Sequence, residues 1–202
     1  MTLEFLAPRI AIAHDVLPAE DYTKLYEYAV SVKLSNNEDP DNFEQYGKKS
    51  FQSLDNDKPY ELDSLISFWG SKNVFTHSAS PEIREIVDKL NAKCVDILSQ
   101  YLEEIDDPKK SFESSAVAFS PIHAYIKGHK FDLHEDCFDY ALVFYLNDSD
   151  EYSGGELVYQ DGPTVHPVAG SLVISPSRWK HEVIEVTSGI RCSMTTFLST
   201  QE

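Results

Sequence analysis

The sequence has few basic residues and no long apolar run, and both shortages exclude classes of protein. Lys and Arg number 17 against 34 Asp and Glu, which gives a formal net charge of -17. Such a surface repels phosphate backbones and anionic lipids, so we expect neither nucleic acid nor membrane as a partner. No apolar run approaches the ~20 residues of a membrane span, and the first residues show no leader pattern. We therefore expect a cytoplasmic protein.

Cysteine usage and chain length both favour one domain that is held by its apolar core. Cys94, Cys137 and Cys192 are an odd number without a Cys-x-x-Cys pair, which argues against a disulfide framework and a cysteine zinc site. The 202 residues, 42% of them hydrophobic, suffice for one sizeable core but not for two. We predict a single domain over 1–202, with helical support and a loop region in 1–110 and a β core carrying the site in 111–202.

The first half of the chain is helical in pattern. A short strand is predicted over 10–12, and apolar residues at helical spacing after Pro18 predict a helix over roughly 18–33. Residues 35–60 are polar with scattered aromatics, which indicates a loop or hairpin near a site. Ser80 and Pro81 are typical of a helix start, and the steps of three and four that follow predict a helix ending near Asp106.

The second half changes to short segments rich in β-branched and aromatic residues, separated by Gly, Asp, Ser and Pro. This spacing predicts a mainly β fold, an antiparallel sandwich or barrel of the jelly-roll kind, beside the helices of the first half. The predicted strands are 114–126, 140–146, 156–159, 171–175, 181–186 and 191–198.

His134 and Asp136 stand two residues apart, a spacing that places both side chains on one face of a strand and within reach of one metal ion. Such a triplet alone is weak evidence for a metal site, since it often arises by chance. His181 begins a later apolar segment and supplies the second imidazole. Two histidines and one carboxylate form the facial triad of non-haem iron(II) oxygenases, which leaves coordination positions open.

Arg191 follows a Gly turn ten residues after His181 and is succeeded by mostly uncharged residues. In the plain interpretation it is a surface charge at a strand start. Its surroundings better fit an inward guanidinium that holds the far carboxylate of 2-oxoglutarate through two hydrogen bonds.

From Tyr125 to Phe197 the sequence resembles the prolyl 4-hydroxylase-like branch of the Fe(II)/2-oxoglutarate-dependent oxygenases. Five blocks carry the resemblance in order: Tyr125-x-x-Gly128 up to His134-x-Asp136, then Tyr145-Leu146-Asn147, Gly154-Gly155-Glu156-Leu157, His181-Glu182-Val183 and Gly189-x-Arg191. Phe197 departs from the family pattern, because relatives often carry Trp there. Arg191 stands where collagen-type members have Lys, which favours similarity to the oxygen-sensing and bacterial-type hydroxylases.

The resemblance implies a mainly β fold with supporting helices, a double-stranded β-helix or jelly roll with an N-terminal helical layer. It also implies a catalytic set of His134, Asp136, His181 and Arg191, with the first three as iron ligands. Tyr145 is expected to donate a hydrogen bond to the carboxylate that Arg191 holds, and Tyr125 to lie near the metal end of 2-oxoglutarate. Implied cofactors are Fe(II), 2-oxoglutarate as co-substrate and O2, with ascorbate as an optional reductant. A carboxylate at Asp136 predicts hydroxylation, since the related halogenases have a small residue there.

The expected reaction is hydroxylation of a C–H bond, first of a prolyl residue in a peptide or protein. Hydroxylation of a free amino acid or another small metabolite is the alternative within the enzyme class. A cupin-like metal-binding protein without turnover gives no role to Arg191 and Tyr145, and nucleic-acid demethylation conflicts with the charge. Of the other histidines, His14, His77 and His166 are interpreted as surface or strand-end residues, whereas His123 and His129 flank the motif strand and are placed to shape the site.

Overall fold

A computed structural model describes residues 2–35, 79–107 and 117–198 as two helices and thirteen strands. The helices are α1 (Ala19–Ser35) and α2 (Pro81–Glu104). The strands are β1 (Leu3–Ala7), β2 (Ile10–Ala13), β3 (Val117–Phe119), β4 (Ile122–Tyr125), β5 (Phe131–His134), β6 (Tyr140–Tyr145), β7 (Tyr152–Ser153), β8 (Leu157–Tyr159), β9 (Thr164–Val165), β10 (Leu172–Pro176), β11 (His181–Val183), β12 (Ser188–Gly189) and β13 (Arg191–Leu198).

Two antiparallel sheets form the β core. The large sheet has the strand order β1-β2-β10-β6-β13-β3, with β4 also paired to β13, and the small sheet has the order β5-β11-β8-β9. A two-stranded ribbon, β12-β7, stands beside them. The predicted jelly roll with an N-terminal helical layer is confirmed.

The large sheet is buried on both faces because its side chains alternate between two cores. On β6, Leu142 and Phe144 pack with the helices, whereas Tyr145 packs with apolar residues of the small sheet. All eight residues of β13 are buried for the same reason. The face of β13 that does not meet the helices is therefore the one available to a site.

Helix α2 begins where its sequence predicted. The Ser80 side chain accepts a hydrogen bond from the backbone N–H of Ile83 (3.3 Å), and Pro81 occupies the first turn, where its missing N–H costs nothing. The buried stripe that runs from Ile83 to Leu102 packs on the large sheet. This stripe makes α2 the main support behind the site.

The first strand of the chain and the strand around Pro121 differ from the prediction. Strand β1 was not predicted, and together with β2 it extends the large sheet, so the N-terminal region adds strands as well as helical support. The predicted strand over 114–126 is divided into β3 and β4, with Pro121, which has no N–H for a sheet ladder, between them. The predicted loop over 35–60 lies almost entirely outside the described residues.

Neither helix in the described part of the chain has an apolar stretch of the length needed to cross a bilayer.

Candidate metal centre

His134, Asp136 and His181 converge at one end of the small sheet. His134 ends β5, His181 begins β11, and the two residues are direct partners across the antiparallel pair. Their ring centroids lie 4.4 Å apart. One carboxylate oxygen of Asp136, Oδ1, lies 3.6 Å from Nε2 of His134. The other, Oδ2, lies 3.5 Å from Nε2 of His181. One ligand atom from each residue fits within 4.8 Å of the others, a cluster compact enough to hold one metal ion.

The predicted basis for this convergence, a shared strand face, was wrong. His134 and Asp136 do not share a strand face, because β5 ends at His134 and Asp136 follows in a loop. The backbone N–H of Asp136 donates to the carbonyl of Ser177 (2.9 Å), which fixes the loop against the turn before β11. The third ligand is thus positioned by a loop contact and not by strand periodicity.

A β-bulge turns His134 toward the interior. His181 pairs with His134 and Val183 with Phe131, so β5 takes three steps where β11 takes two. The extra residue lets Phe131 and His134 both face inward, with their ring centroids 3.9 Å apart, and leaves Leu133 exposed. Bulges commonly redirect a side chain next to a site.

Backbone carbonyls fix the protonation of both imidazoles. Nδ1 of His134 donates to the carbonyl of Asp132, and Nδ1 of His181 donates to that of Trp179, both at 2.8 Å. A carbonyl can only accept, so Nδ1 of each ring carries a proton, and Nε2 is the ring nitrogen that faces Asp136 and is placed to bind a metal ion. Metal-bound histidines typically have this outer hydrogen bond.

The electrostatics of the cluster favour a cation. Burial, reinforced by His181, lowers the pKa of His134 to about 3, so this imidazole is neutral near pH 7. Burial also raises the pKa of Asp136, against the opposing effect of His181. Among the described residues, the Asp136 carboxylate has two imidazoles beside it and no Lys or Arg in ion-pair contact, and a divalent metal ion would supply a counter-charge. The donor set of two nitrogens and one oxygen fits Fe(II).

Arg191 occupies the other end of the same cavity as a buried charge without an acidic partner. Only 2% of its surface is exposed, and it donates to two neutral hydroxyls, Ser193 Oγ (3.0 Å) and Tyr145 Oη (3.3 Å). The Tyr125 and Tyr145 rings lie 5.2 and 5.1 Å from the guanidinium carbon. Within the described ranges no carboxylate forms an ion pair with it. Because a buried unpaired charge is costly, the pocket fits an anionic ligand.

Strand register explains why these side chains meet. Arg191 pairs with Tyr125 on β4, and Ser193 pairs with Tyr145 on β6, so β13 stands between the two tyrosines. The Asn147 side chain fixes the start of β13: it donates to the carbonyl of Ile190 and accepts from the N–H of Cys192, both at 2.9 Å. The motif Tyr145-Leu146-Asn147 thus supplies one hydroxyl that contacts the guanidinium of Arg191 and one side chain that clamps β13.

One cavity joins the three candidate metal ligands to Arg191. Its walls come from both sheets and are apolar apart from a few convergent polar groups, as in most small-molecule sites. The remaining lining residues are His123, Tyr125, Phe131, Ala141, Val143, Leu157, Val183, Ser193, Thr195 and Phe197.

Four residues of this region received no specific role from the sequence. Asn147 clamps β13, Ser193 accepts a hydrogen bond from Arg191, and His123 lines the cavity. Tyr152 lies close to Arg191: burial raises the pKa of this tyrosine, and the nearby guanidinium opposes that rise. Alternation along β13 could have identified Ser193, since it lies two residues after Arg191. No local pattern identifies the cross-strand neighbours.

The other residues singled out in the sequence are placed as follows. Phe197 stacks on Phe138 with ring centroids 4.7 Å apart and lines the cavity. His14 is exposed and lies 3.2 Å from the Glu4 carboxylate, and His166 is exposed. His77 lies outside the described residues.

Comparison with known proteins agrees with this geometry. Residues 120–199 match the 2OG-Fe(II) oxygenase superfamily. A PKHD-type hydroxylase of Xylella fastidiosa (strain M23) is 46% identical over 56 residues, which is 26% of this chain and 24% of that protein. The match therefore spans about a quarter of that relative's length.

Two solved structures share the fold over most of the chain. A viral collagen prolyl hydroxylase from Paramecium Bursaria Chlorella virus-1 has a TM-score of 0.59 and 14% identity, covering 95% of this chain and 97% of that one. A prolyl hydroxylase from Trichoplax adhaerens, in complex with a hypoxia inducible factor fragment, has a TM-score of 0.59 and 16% identity, covering 96% and 84%. At these identities the two structures show likeness of fold alone, and the match of residues 120–199 confirms the resemblance drawn from the sequence blocks at the level of the superfamily.

Proposed function

We propose that this chain, whose residues 120–199 match the 2OG-Fe(II) oxygenase superfamily, is an Fe(II)- and 2-oxoglutarate-dependent dioxygenase that hydroxylates a C–H bond. The observation that carries the proposal is a single cavity with a candidate metal triad at one end and a buried, unpaired guanidinium at the other. A ligand with one end that chelates a metal ion and a carboxylate at the other end fits both the triad and the guanidinium. A bare metal-binding role would leave the charge of Arg191 unexplained.

Each residue has a role in this proposal. His134, Asp136 and His181 hold Fe(II), and the iron, when bound, supplies the oxygen chemistry that the side chains lack. Arg191 and Tyr145 bind the distal carboxylate of 2-oxoglutarate, where charge-assisted hydrogen bonds in a buried site are strong. Tyr125 packs against the guanidinium. Burial raises its pKa, and the Asp136 carboxylate is close enough to add to that rise, so the proposed place of Tyr125 is near the metal end of 2-oxoglutarate. Residues 1–202 act as one domain, and ascorbate serves as an optional reductant.

For the substrate we propose a prolyl residue in a peptide or protein. The ordered sequence blocks between Tyr125 and Arg191 support this choice, and so does the hydroxylase name of the relative matched over 56 residues. Phe138 and Phe197 offer a stacked aromatic wall to an apolar ring. The candidate alternative is a free amino acid or another small metabolite.

The activity test compares substrates directly. Iron-loaded protein is incubated with 2-oxoglutarate and either proline-containing peptides or free proline, and both succinate and the mass gain of one oxygen atom are measured. Peptide-dependent succinate with an oxidised peptide is expected. Oxidation of free proline alone would transfer the proposal to the small-metabolite class, and absence of 2-oxoglutarate binding to the metal-loaded protein would refute the oxygenase assignment.

The binding test separates co-substrate from metal. In the test, 2-oxoglutarate is titrated into protein loaded with Mn(II), which prevents turnover. Arg191→Ala should lower the affinity for 2-oxoglutarate by about two decades or more and leave the affinity for Mn(II) unchanged. Arg191→Lys should recover only part of the loss because it lacks the planar fork, and Tyr145→Phe should be milder because it removes one neutral donor. Arg178, an exposed arginine, provides the matched control Arg178→Ala.

A further inference from the structure

His123 lies inside the cavity although no sequence block includes it. It is the second residue of β4, it is only 4% exposed, and it lines the same cavity as the metal triad and Arg191. Because side chains alternate along a strand, His123 shares its face with Tyr125, two residues on. Their ring centroids lie 6.0 Å apart.

Cross-strand pairing brings His123 to the guanidinium. His123 is the direct partner of Ser193 on β13, and the Ser193 hydroxyl accepts from Nη1 of Arg191. Tyr125, which lies two residues after His123 on β4, packs over the same guanidinium. The imidazole therefore borders the place where an anion bound by Arg191 must lie.

His123 has the charge state that suits this position. Burial, with Arg191 as the second cause, lowers its pKa to about 3, so the imidazole is neutral under ordinary conditions. A neutral imidazole offers one N–H donor and one acceptor, and a carboxylate accepts several hydrogen bonds at once. A second cation beside Arg191 would be repelled, whereas a neutral donor is not.

We propose that His123 is a further co-substrate-binding residue whose N–H donates a hydrogen bond to the distal carboxylate of 2-oxoglutarate, beside Arg191 and Tyr145. The inference rests on the proposed function, and it adds one polar side chain from β4 to the proposed 2-oxoglutarate site. A hydrogen bond to a charged acceptor typically changes affinity by a factor of about ten or more.

The test uses two substitutions of His123 and a matched control. His123→Leu keeps an apolar body of comparable size but removes the donor, and His123→Gln keeps a side-chain N–H. The control His166→Leu makes the same change at an exposed histidine. In calorimetric titration of the Mn(II)-loaded protein, His123→Leu should bind 2-oxoglutarate about tenfold more weakly or worse, His123→Gln should retain most of the affinity, and Mn(II) binding should be unchanged in all three.

A second ligand distinguishes a contact to the carboxylate from general damage to the pocket. The compound 2-oxopentanoate has the same carbon skeleton with a methyl group in place of the distal carboxylate, and its affinity is measured by competition. Wild type and His123→Leu should bind it equally. Unchanged 2-oxoglutarate affinity in His123→Leu, or equal losses for both ligands, would overturn the inference. Failure of the wild type to bind 2-oxoglutarate would instead refute the proposed function.

Discussion

Gly155 packs directly against the side chain of Arg191. A methyl group added to Gly155 would lie 2.9 Å from Cδ of Arg191, and the backbone there has φ +72. The glycine pair in the Gly154-Gly155-Glu156-Leu157 block thus gives the guanidinium stem its room. Gly154 also lacks room for a side chain, because an added methyl group would overlap the backbone carbonyl of Glu185.

Gly155→Ala should therefore weaken 2-oxoglutarate binding. The matched control is Gly170→Ala, which also has a left-handed backbone (φ +79) and a close contact, but with the Tyr22 ring, which is not part of the cavity lining. Both variants should lose about 1–2 kcal/mol of unfolding free energy from backbone strain. Only Gly155→Ala should also lose 2-oxoglutarate affinity in calorimetry. Equal affinities in the two variants would show that the contact with Arg191 is incidental.

Metal binding should stabilise the fold through the triad. At a free Mn(II) concentration of about 100 times its Kd, the wild type should gain about 2.7 kcal/mol, seen as a higher Tm that EDTA reverses. His134→Ala, Asp136→Ala and His181→Ala should each lose most of this gain, since three ligands hold one ion. Glu135→Ala removes an exposed carboxylate between two of the ligands and serves as the control. A wild-type metal response in any two triad variants would contradict the ligand assignment.

Asn147→Ala should destabilise the start of β13. The substitution removes two hydrogen bonds of a side chain that is 3% exposed, and it leaves the Ile190 carbonyl and the Cys192 N–H without their partner. Each such loss costs about 1–3 kcal/mol, so urea unfolding should show a decrease of about 2–6 kcal/mol. Asn147→Asp keeps the acceptor for Cys192 but sets a buried carboxylate oxygen against the Ile190 carbonyl, so it should not restore the stability. A decrease under about 0.5 kcal/mol, the range of ordinary surface substitutions, would mean that the clamp is dispensable.

The three thiols should differ in reactivity. Cys94 and Cys192 have no exposed surface, and burial raises the pKa of Cys94 to about 12, whereas Cys137 is exposed. Because the thiolate is the nucleophile, the native protein should take up one iodoacetamide adduct quickly, and the unfolded protein three. Intact-mass spectrometry measures both, with Cys137→Ser as the control that should show no fast adduct. Rapid addition of two or more adducts to the native protein would show that the helix and sheet layers open readily.

Local sequence patterns were enough to predict the jelly roll and to single out Arg191 and the three candidate metal ligands. Each depended on local information: residue types within short blocks, the period of apolar residues, and the Ser80-Pro81 helix start. The order of the blocks was enough to predict that His134, Asp136 and His181 belong together, although they lie in two separate segments. The site roles themselves stay predictions that the experiments above decide.

Only the tertiary structure decided how these residues meet. Asp136 reaches the two histidines through a loop contact with Ser177 and a bulge in β5, neither of which the His-x-Asp spacing reveals. His123 and Tyr152 come close to Arg191 because strands far apart in sequence pair or pack beside β13. Register across a sheet depends on the packing of all its strands together, and therefore no local pattern could place these two side chains beside the guanidinium.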